Sequence, residues 1–449
     1  MSERIKIRKG LDIKICGNPE RFYQPIKKNN RYAIIPTDYV GLTLKLLVEE
    51  GQRVKVGTPV LADKNNENIK ITSPVSGVVV SINRGERRKL LEIVIESDET
   101  LEFETFTSGK PSDFSEEQIK SNLLQSGLWV AIKQRPYAII ANPKDKPKSI
   151  FISAFDSSPL APDYNFIIKD NKKSFQTGID ILSKLTSGKV NLNLHDKFEN
   201  SSFTDCKNVV VNTFSGPHPA GNVGIQIHHI DPINKGEIVW VVNVQDVVQI
   251  GKLFEEGKYL AQKVIAITGS LVKKPAYLNI TSGIALPAVL ADNLKEGNPR
   301  VISGNVLTGN KTTVSGFLGF YDSQITVIEE GDEPEFFGWA TPGFNKHSAS
   351  RAFWSWLAPK KEFSLNTNYH GGVRPFVFTG VYEKVLPMDI YPMQLLKAII
   401  VEDIDKMEQL GIYEVAEEDF ALCEYVCPSK IEIQSLIRKG LDQIRKEFS

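Results

Sequence analysis

The chain has 449 residues, 41% apolar and 24% charged, the balance of a globular protein too long for one core. Its 54 Lys and Arg residues equal its 54 Asp and Glu residues, which excludes a global field that would draw in nucleic acid or an anionic bilayer. No run reaches the about 18 apolar residues of a spanning helix, and the opening MSERIKIRKG lacks the apolar stretch of a secretory signal, so any membrane role is expected to be peripheral.

From Tyr32 to Glu96 short Val/Ile/Leu runs alternate with Gly, Pro and Asn, as in EEGQRVKVGTPV and ITSPVSGVV, which predicts an all-β unit with tight reversals. This pattern resembles the biotinyl/lipoyl carrier family, a flattened barrel-sandwich hybrid. In carriers a modified lysine sits on the hairpin. The matching place, counted back from Pro74, holds Asn66, and the nearest lysine, Lys64, is displaced, so an unmodified carrier fold is expected.

The period changes near Phe114. SEEQIKSNLLQSG opens with a capping box, Ser115 facing Gln118, and continues at helical spacing. Strand patterns at 149–155, 189–195, 208–214 and 238–244 then alternate with helical ones near 173–186 and 245–257. That predicts a Rossmann-like α/β domain with a largely parallel sheet. Residues 258–330 read as a small β-grasp module of SLBB-like type. An aromatic loop region follows, with Phe336, Phe337, Trp339, Phe353, Trp354 and Trp356, and the chain closes in helices. These are YPMQLLKAIIVEDIDKMEQLG, EEDFALCEYV and IEIQSLIRKGLDQIRKEF. In the last, Ile433, Ile437, Leu441, Ile444 and Phe448 share one face. The expected units are 1–105, 106–257, 258–330 and 331–449.

Six stretches in order, IKIRKGLDIKICGNPE, NTFSGPHPAGNVGIQIHHIDPI, VWVVNVQDVVQIGKLF, RVISGNVLTG, FFGWATPGFNKHS and DFALCEYVCPSK, resemble the A-subunit of the Na+-translocating NADH:quinone oxidoreductase over practically the whole chain. The resemblance implies a peripheral subunit on the cytoplasmic face of the bacterial inner membrane. Its complex oxidises NADH, reduces ubiquinone and exports Na+, with flavins and an iron–sulfur cluster in other subunits. The implied partners are the membrane-embedded and flavin-carrying subunits. Docking is the implied role, with a possible share in quinone handling and no catalysis by the isolated chain. More distant cousins hold FMN, bind NADH and ligate clusters. A free-standing NADH/flavin oxidoreductase and a soluble-ligand-binding module are therefore the alternatives.

The cousins' cofactor devices can be sought residue by residue. Where they carry a G-x-G-G-A-G-F-P cradle this chain reads SGLWVAIKQRP, and Leu128, Trp129 and Val130 put side chains where phosphate needs bare backbone. Cys423 and Cys427 with Pro428 reproduce the end of the cluster run C-x2-C-x2-C-x3-C-P, but its first two places hold Glu417 and Phe420. A vestigial motif is expected, with two reduced thiols at a helical corner and Pro428 in the first turn of the next helix. Cys16 and Cys206 lie far off in sequence, and so few scattered cysteines suit a reducing cytoplasm. Gly216, Pro217, His218, Pro219, Gly221, His228, His229 and Asp231 form a histidine-rich loop with no zinc spacing. It reads as a structural or subunit-contact loop, or else a small-molecule site beyond the strand ends. No cofactor and no metal is expected on this chain.

Overall fold

The computed structural model describes residues 3–198, 202–332, 335–338, 340–377 and 379–448. Trp339 therefore lies outside the described residues. The carrier-like unit is two small sheets face to face. One runs Arg31–Ile34, Leu90–Ser97, Gly77–Arg84, Arg53–Val54, and the other Leu44–Leu46, Pro59–Asp63, Lys70–Thr72. Alternation in these strands turns Val54, Leu61, Ile71, Val79, Ile93 and Ile95 into a shared core. Lys64 is exposed on the hairpin after Asp63. The buried Asp63 carboxylate pins that hairpin by accepting the Thr43 and Asn66 N–H groups at 2.9 and 3.1 Å.

The α/β unit carries a seven-stranded sheet ordered Arg4–Lys6, Val210–Ser215, Lys189–His195, Ser149–Ser153, Val239–Val242, Ile132–Arg135, Ile139–Ile140. The first five are parallel and the last two join antiparallel. The edge strand Arg4–Lys6 comes from the N-terminus, ahead of the carrier-like unit in sequence. The capping box forms as read: Ser115 Oγ accepts Gln118 N–H at 3.3 Å and Gln118 Oε1 accepts Ser115 N–H at 2.8 Å. Helices Lys172–Leu182 and Val244–Glu256 pack against one another, the second capped by Asn243.

A five-stranded sheet follows, ordered Ala276–Thr281, Gln262–Thr268, Gln324–Glu329, Pro299–Ser303, Asn310–Thr312, with a parallel pairing between the second and third. The predicted helix through 391–411 is two, Pro392–Ile400 and Ile404–Gln409. Glu402 takes φ 60° and the Asp403 carboxylate caps the second by accepting Lys406 N–H, which resets the chain direction. The final helix, Ile433–Glu447, buries Ile433, Ile437, Leu441 and Ile444 as expected. Phe448 falls past its end and is 49% exposed, with the Lys235 ammonium 4.4 Å from its ring centroid.

Candidate functional site

The stretch from Ser215 to Asp231 is half loop and half helix. A turn-rich segment leaves the strand at Ser215, and Val223–Ile230 is helical, its apolar side held by Ile225 and Ile227. His228 and His229 therefore project from a helix and not from a loop. His218 is 4% exposed, and the His218–Pro219 peptide is cis. Its N–H donates to Asp12 Oδ1 at 2.9 Å, and its ring Nδ1 lies 3.0 Å from Ser157 Oγ. Ser157 Oγ also accepts Gly221 N–H at 2.8 Å, and the buried imidazole is neutral. Burial pushes His218 down to about 4, in keeping with that state. Gly216 and Pro217 lie against the N-terminal segment at Ile7 and Gly10, and Leu11 N–H donates to the His218 carbonyl at 2.8 Å.

The other two rings are also tied to the chain. His228 Nε2 accepts Asp389 N–H at 3.1 Å, which leaves the Nδ1 proton for Glu414 Oε2 at 2.7 Å. His229 Nδ1–H donates to the Ile225 carbonyl at 2.8 Å. Asp231 accepts from Ser149 Oγ and pairs with Lys148 at 2.9 Å. Through Nδ1, each of the three histidines anchors this segment to its own chain. Among the described residues no three His, Cys, Asp or Glu side chains converge as metal ligands.

Beneath His218, at the C-terminal ends of the parallel strands, opens a cleft of about 440 Å³ between the α/β, β-grasp and C-terminal units. Such strand ends are where open α/β sheets present ligand sites, and the volume is that of a small-molecule pocket. Lys133 reaches in with its ammonium 3.8 Å from the Tyr321 ring centroid, and makes no ion pair among the described residues. Asp246, in the first turn of Val244–Glu256, faces it without a hydrogen-bond partner among the described residues. Burial raises this carboxyl to about 6, against the pull of Lys263 and Lys133. Asp156, also raised by burial, accepts Ser158 N–H at 2.7 Å. Tyr164 OH sits between Asn243 Nδ2 at 3.1 Å and Ser323 Oγ at 3.3 Å, and Gln324 Oε1 is buried with no partner. The cleft thus holds the Lys133 ammonium, a carboxyl at Asp246 raised to about 6, and an unused acceptor at Gln324.

Sequence reasoning found His218 and Gly221 in its wall but missed Lys133, Asp156, Tyr164, Asp246 and Gln324. These come from five separate elements with no common motif. The one available signal is NVQD (243–246), an N-cap followed by a first-turn carboxyl directly after a buried strand. Asp246→Asn tests the electrostatics. The folded value lies above the unfolded 3.8, so this group's stabilisation is present below pH 3.8 and lost as pH rises through 6. At pH 8 the asparagine variant is expected to be more stable than wild type by about 1–2 kcal/mol, a figure reduced for access through the cleft. At pH 3.5 that gain should vanish; urea titrations at the two pH values read it.

The place of the cousins' phosphate cradle is filled. Gly127 ends helix Glu116–Ser126 at φ 80°, and a Cβ there would lie 2.4 Å from Thr72 Oγ1, so its freedom serves a cap and close packing. Leu128, Trp129, Val130 and Ala131 are buried in a short 3-10 turn. The Trp129 indole N–H donates to the Ala141 carbonyl at 2.7 Å and its ring meets Trp240 edge-on at 5.4 Å.

Cys423 and Cys427 are buried thiols beside Tyr382, whose hydroxyl donates to Cys427 Sγ at 3.0 Å. Helix Ala421–Val426 stops at Cys427 as expected. Pro428 does not open the next helix: it lies in a turn, and Ile433 begins the helix. The intervening chain packs on the sulfur, with Ile431 N–H 3.5 Å from it. Cys427→Ser keeps an acceptor for Tyr382, so the double serine variant should lose about 1–3 kcal/mol, chiefly from the Cys423 side. Denaturation curves and metal analysis together check this: stability should fall while the iron content of the chain stays the same.

Three domain families match the chain: the NqrA N-terminal barrel-sandwich hybrid domain over residues 5–98, the NqrA second alpha/beta domain over 114–259, and the NQRA C-terminal domain over 264–314. The A-subunit of the Na(+)-translocating NADH-quinone reductase of Yersinia pestis bv. Antiqua (strain Angola) is 41% identical over 99% of this chain and 100% of its own length. That of Haemophilus influenzae (strain PittEE) is 40% identical with the same coverage. Among solved structures, an NAD+-reducing [NiFe]-hydrogenase in the H2-reduced state superposes with a TM-score of 0.41 at 12% identity, over 76% of this chain and 62% of that one. On full-length identity to these relatives, the chain belongs to the A-subunit family of the Na+-translocating NADH-quinone reductase.

Proposed function

We propose that this chain is the peripheral A-subunit of a respiratory Na+-translocating NADH:quinone reductase, docked on the cytoplasmic face of the inner membrane and carrying no redox cofactor of its own. The carrying observation is identity over the full length of relatives that bear that name. No helix among the described residues is long and apolar enough to cross a membrane, which suits a subunit held by others. The partners are then the membrane-embedded and flavin-carrying subunits, and NADH oxidation, ubiquinone reduction and Na+ export belong to the assembly. Filling of the cradle by Trp129 and burial of two isolated thiols support the cofactor-free reading. The four units follow the divisions 1–105, 106–257, 258–330 and 331–449, the first lending its opening strand to the second. Where this chain meets a quinone, it does so in the cleft, where the Lys133 ammonium is a hydrogen-bond donor for a carbonyl oxygen. The segment from Gly216 to Asp231 is structural: His218 and Gly221 stand in the cleft's wall, and His228 and His229 anchor the helix that follows.

The test is a chromosomal deletion of this chain, complemented with a tagged copy. Membranes should lose Na+-stimulated NADH:quinone reductase activity and regain it on complementation, and the tag should retrieve the membrane subunits. Full activity in the deletion strain would contradict the proposal.

A further inference from the structure

Among its described residues, the segment from Glu335 to Val377 is almost without regular structure, with one helical turn at Trp354–Leu357. Yet it presents large apolar side chains to solvent: Phe336 is 88% exposed, Trp354 57%, Phe344 55% and Trp356 50%. Exposed aromatics at this density mark a binding surface on a soluble domain. They belong to one patch. The Lys346 ammonium pairs with Glu335 and donates to the Gly338 carbonyl at 2.7 Å, tying the Phe336 end to Phe344. Trp354 N–H then donates to the Pro342 carbonyl at 2.8 Å, and the Phe344 and Trp354 rings meet edge-on at 5.8 Å.

Charge identifies the occupant. The chain as a whole is neutral, but this segment holds five basic residues (Lys346, Arg351, Lys360, Lys361, Arg374) against two acidic ones (Glu335, Glu362). Lys346 is the one already paired with Glu335. Arg351 and Lys360 are exposed and make no ion pair among the described residues. An irregular backbone cannot enter a bilayer, where its N–H and C=O groups would find no partners, whereas a protein surface can supply them. Aromatic and Arg side chains are also the residues that anchor protein interfaces.

We propose that residues 335–377 form the docking surface for another protein, one that offers an apolar patch flanked by acidic side chains. This rests on the reading of the chain as one member of an assembly, and it names where the partner sits. The segment is anchored for that role: Phe363 N–H donates to the Lys14 carbonyl and Cys16 N–H to the Phe363 carbonyl, at 2.9 and 3.0 Å. The partner therefore engages a surface fixed to the α/β and C-terminal units.

The experiment compares tagged full-length chains retrieved from native membranes. One carries Phe336→Ser, Phe344→Ser, Trp354→Ser and Trp356→Ser together. A control carries Val80→Ser, Leu91→Ser and Val314→Ser, at 39%, 42% and 42% exposure outside the patch. Unchanged melting of both isolated chains shows that folding is intact. The patch variant should retain at least about tenfold less of the membrane subunits than wild type, and the control the same amount. Lys360→Glu with Lys361→Glu should also weaken retention, and Lys360→Gln with Lys361→Gln less so. Undiminished retention by the patch variant overturns the docking surface and leaves the reading of the chain as a member of the assembly standing. No membrane subunit retrieved even by wild type overturns both. Wild-type binding to phosphatidylglycerol vesicles that the patch variant loses, with retention of subunits unchanged, would assign the surface to lipid and overturn the proposal.

Discussion

Arg135→Ala is expected to destabilise the protein by about 3–5 kcal/mol, through the contact between the α/β sheet and the C-terminal helices. Arg135 ends a strand of the sheet with its side chain 4% exposed, and its guanidinium reaches across to Asp419 Oδ2 at 2.7 Å and Glu418 Oε1 at 2.6 Å. Asp419 is fully buried; it also accepts Ala416 N–H at 2.9 Å and lies over Gly224, where a Cβ would be 2.4 Å from its Oδ2. The paired carboxylates hold Arg135 in its charged form above its usual range, against desolvation. Removing the arginine strands a buried carboxylate, and that stranding is the main cost. Arg135→Met combined with Asp419→Leu should recover most of the loss, since neither charge is then left alone. Urea denaturation followed by tryptophan fluorescence reads both. A single-variant loss below about 1 kcal/mol, or a double variant as poor as the single, would contradict the assignment.

Trp129→Ala is the second large effect, expected at about 3–5 kcal/mol from the cavity, the lost edge-on contact with Trp240 and the orphaned Ala141 carbonyl. Its functional interest lies in what it does not do. Opening this space should confer no FMN binding, because Leu128 and Val130 still flank it and the turn lacks the run of glycines that phosphate contact requires. Equilibrium dialysis of the variant with FMN against wild type decides this. Flavin uptake by the alanine variant alone would show that one side chain was all that blocked the cradle.

Much of the fold is legible because it rests on local periodicity. The strand at Lys189–His195 and the helix at Val244–Glu256 come out within a residue of their reading, since each is a clean apolar pattern bounded by a cap or turn. The capping box at Ser115 is equally local. What fails is where tertiary contacts decide. Nothing in MSERIKIRKG announces that Arg4–Lys6 will pair with Val210–Ser215, a partner some two hundred residues away. Pro428 looks like a helix opener by itself, yet the chain first turns over the Cys427 sulfur. The histidines at 228 and 229 sit in a helix because Ile225, Ile227 and their neighbours pack inward, and the glycines upstream hid that period. The cleft was the least legible feature: Lys133, Asp156 and Asp246 come from separate elements of the α/β unit, and Gln324 and Glu418 reach its wall from two other units.

On the proposed reading, this chain serves the reductase without holding a redox group. The visible absorption spectrum of the chain released from complex purified out of native membranes tests it most directly. A colourless chain is expected, with neither a flavin band in the blue nor the brown tail of an iron–sulfur cluster, while the remaining subunits keep their colour. A stoichiometric flavin or cluster travelling with the released chain would contradict it.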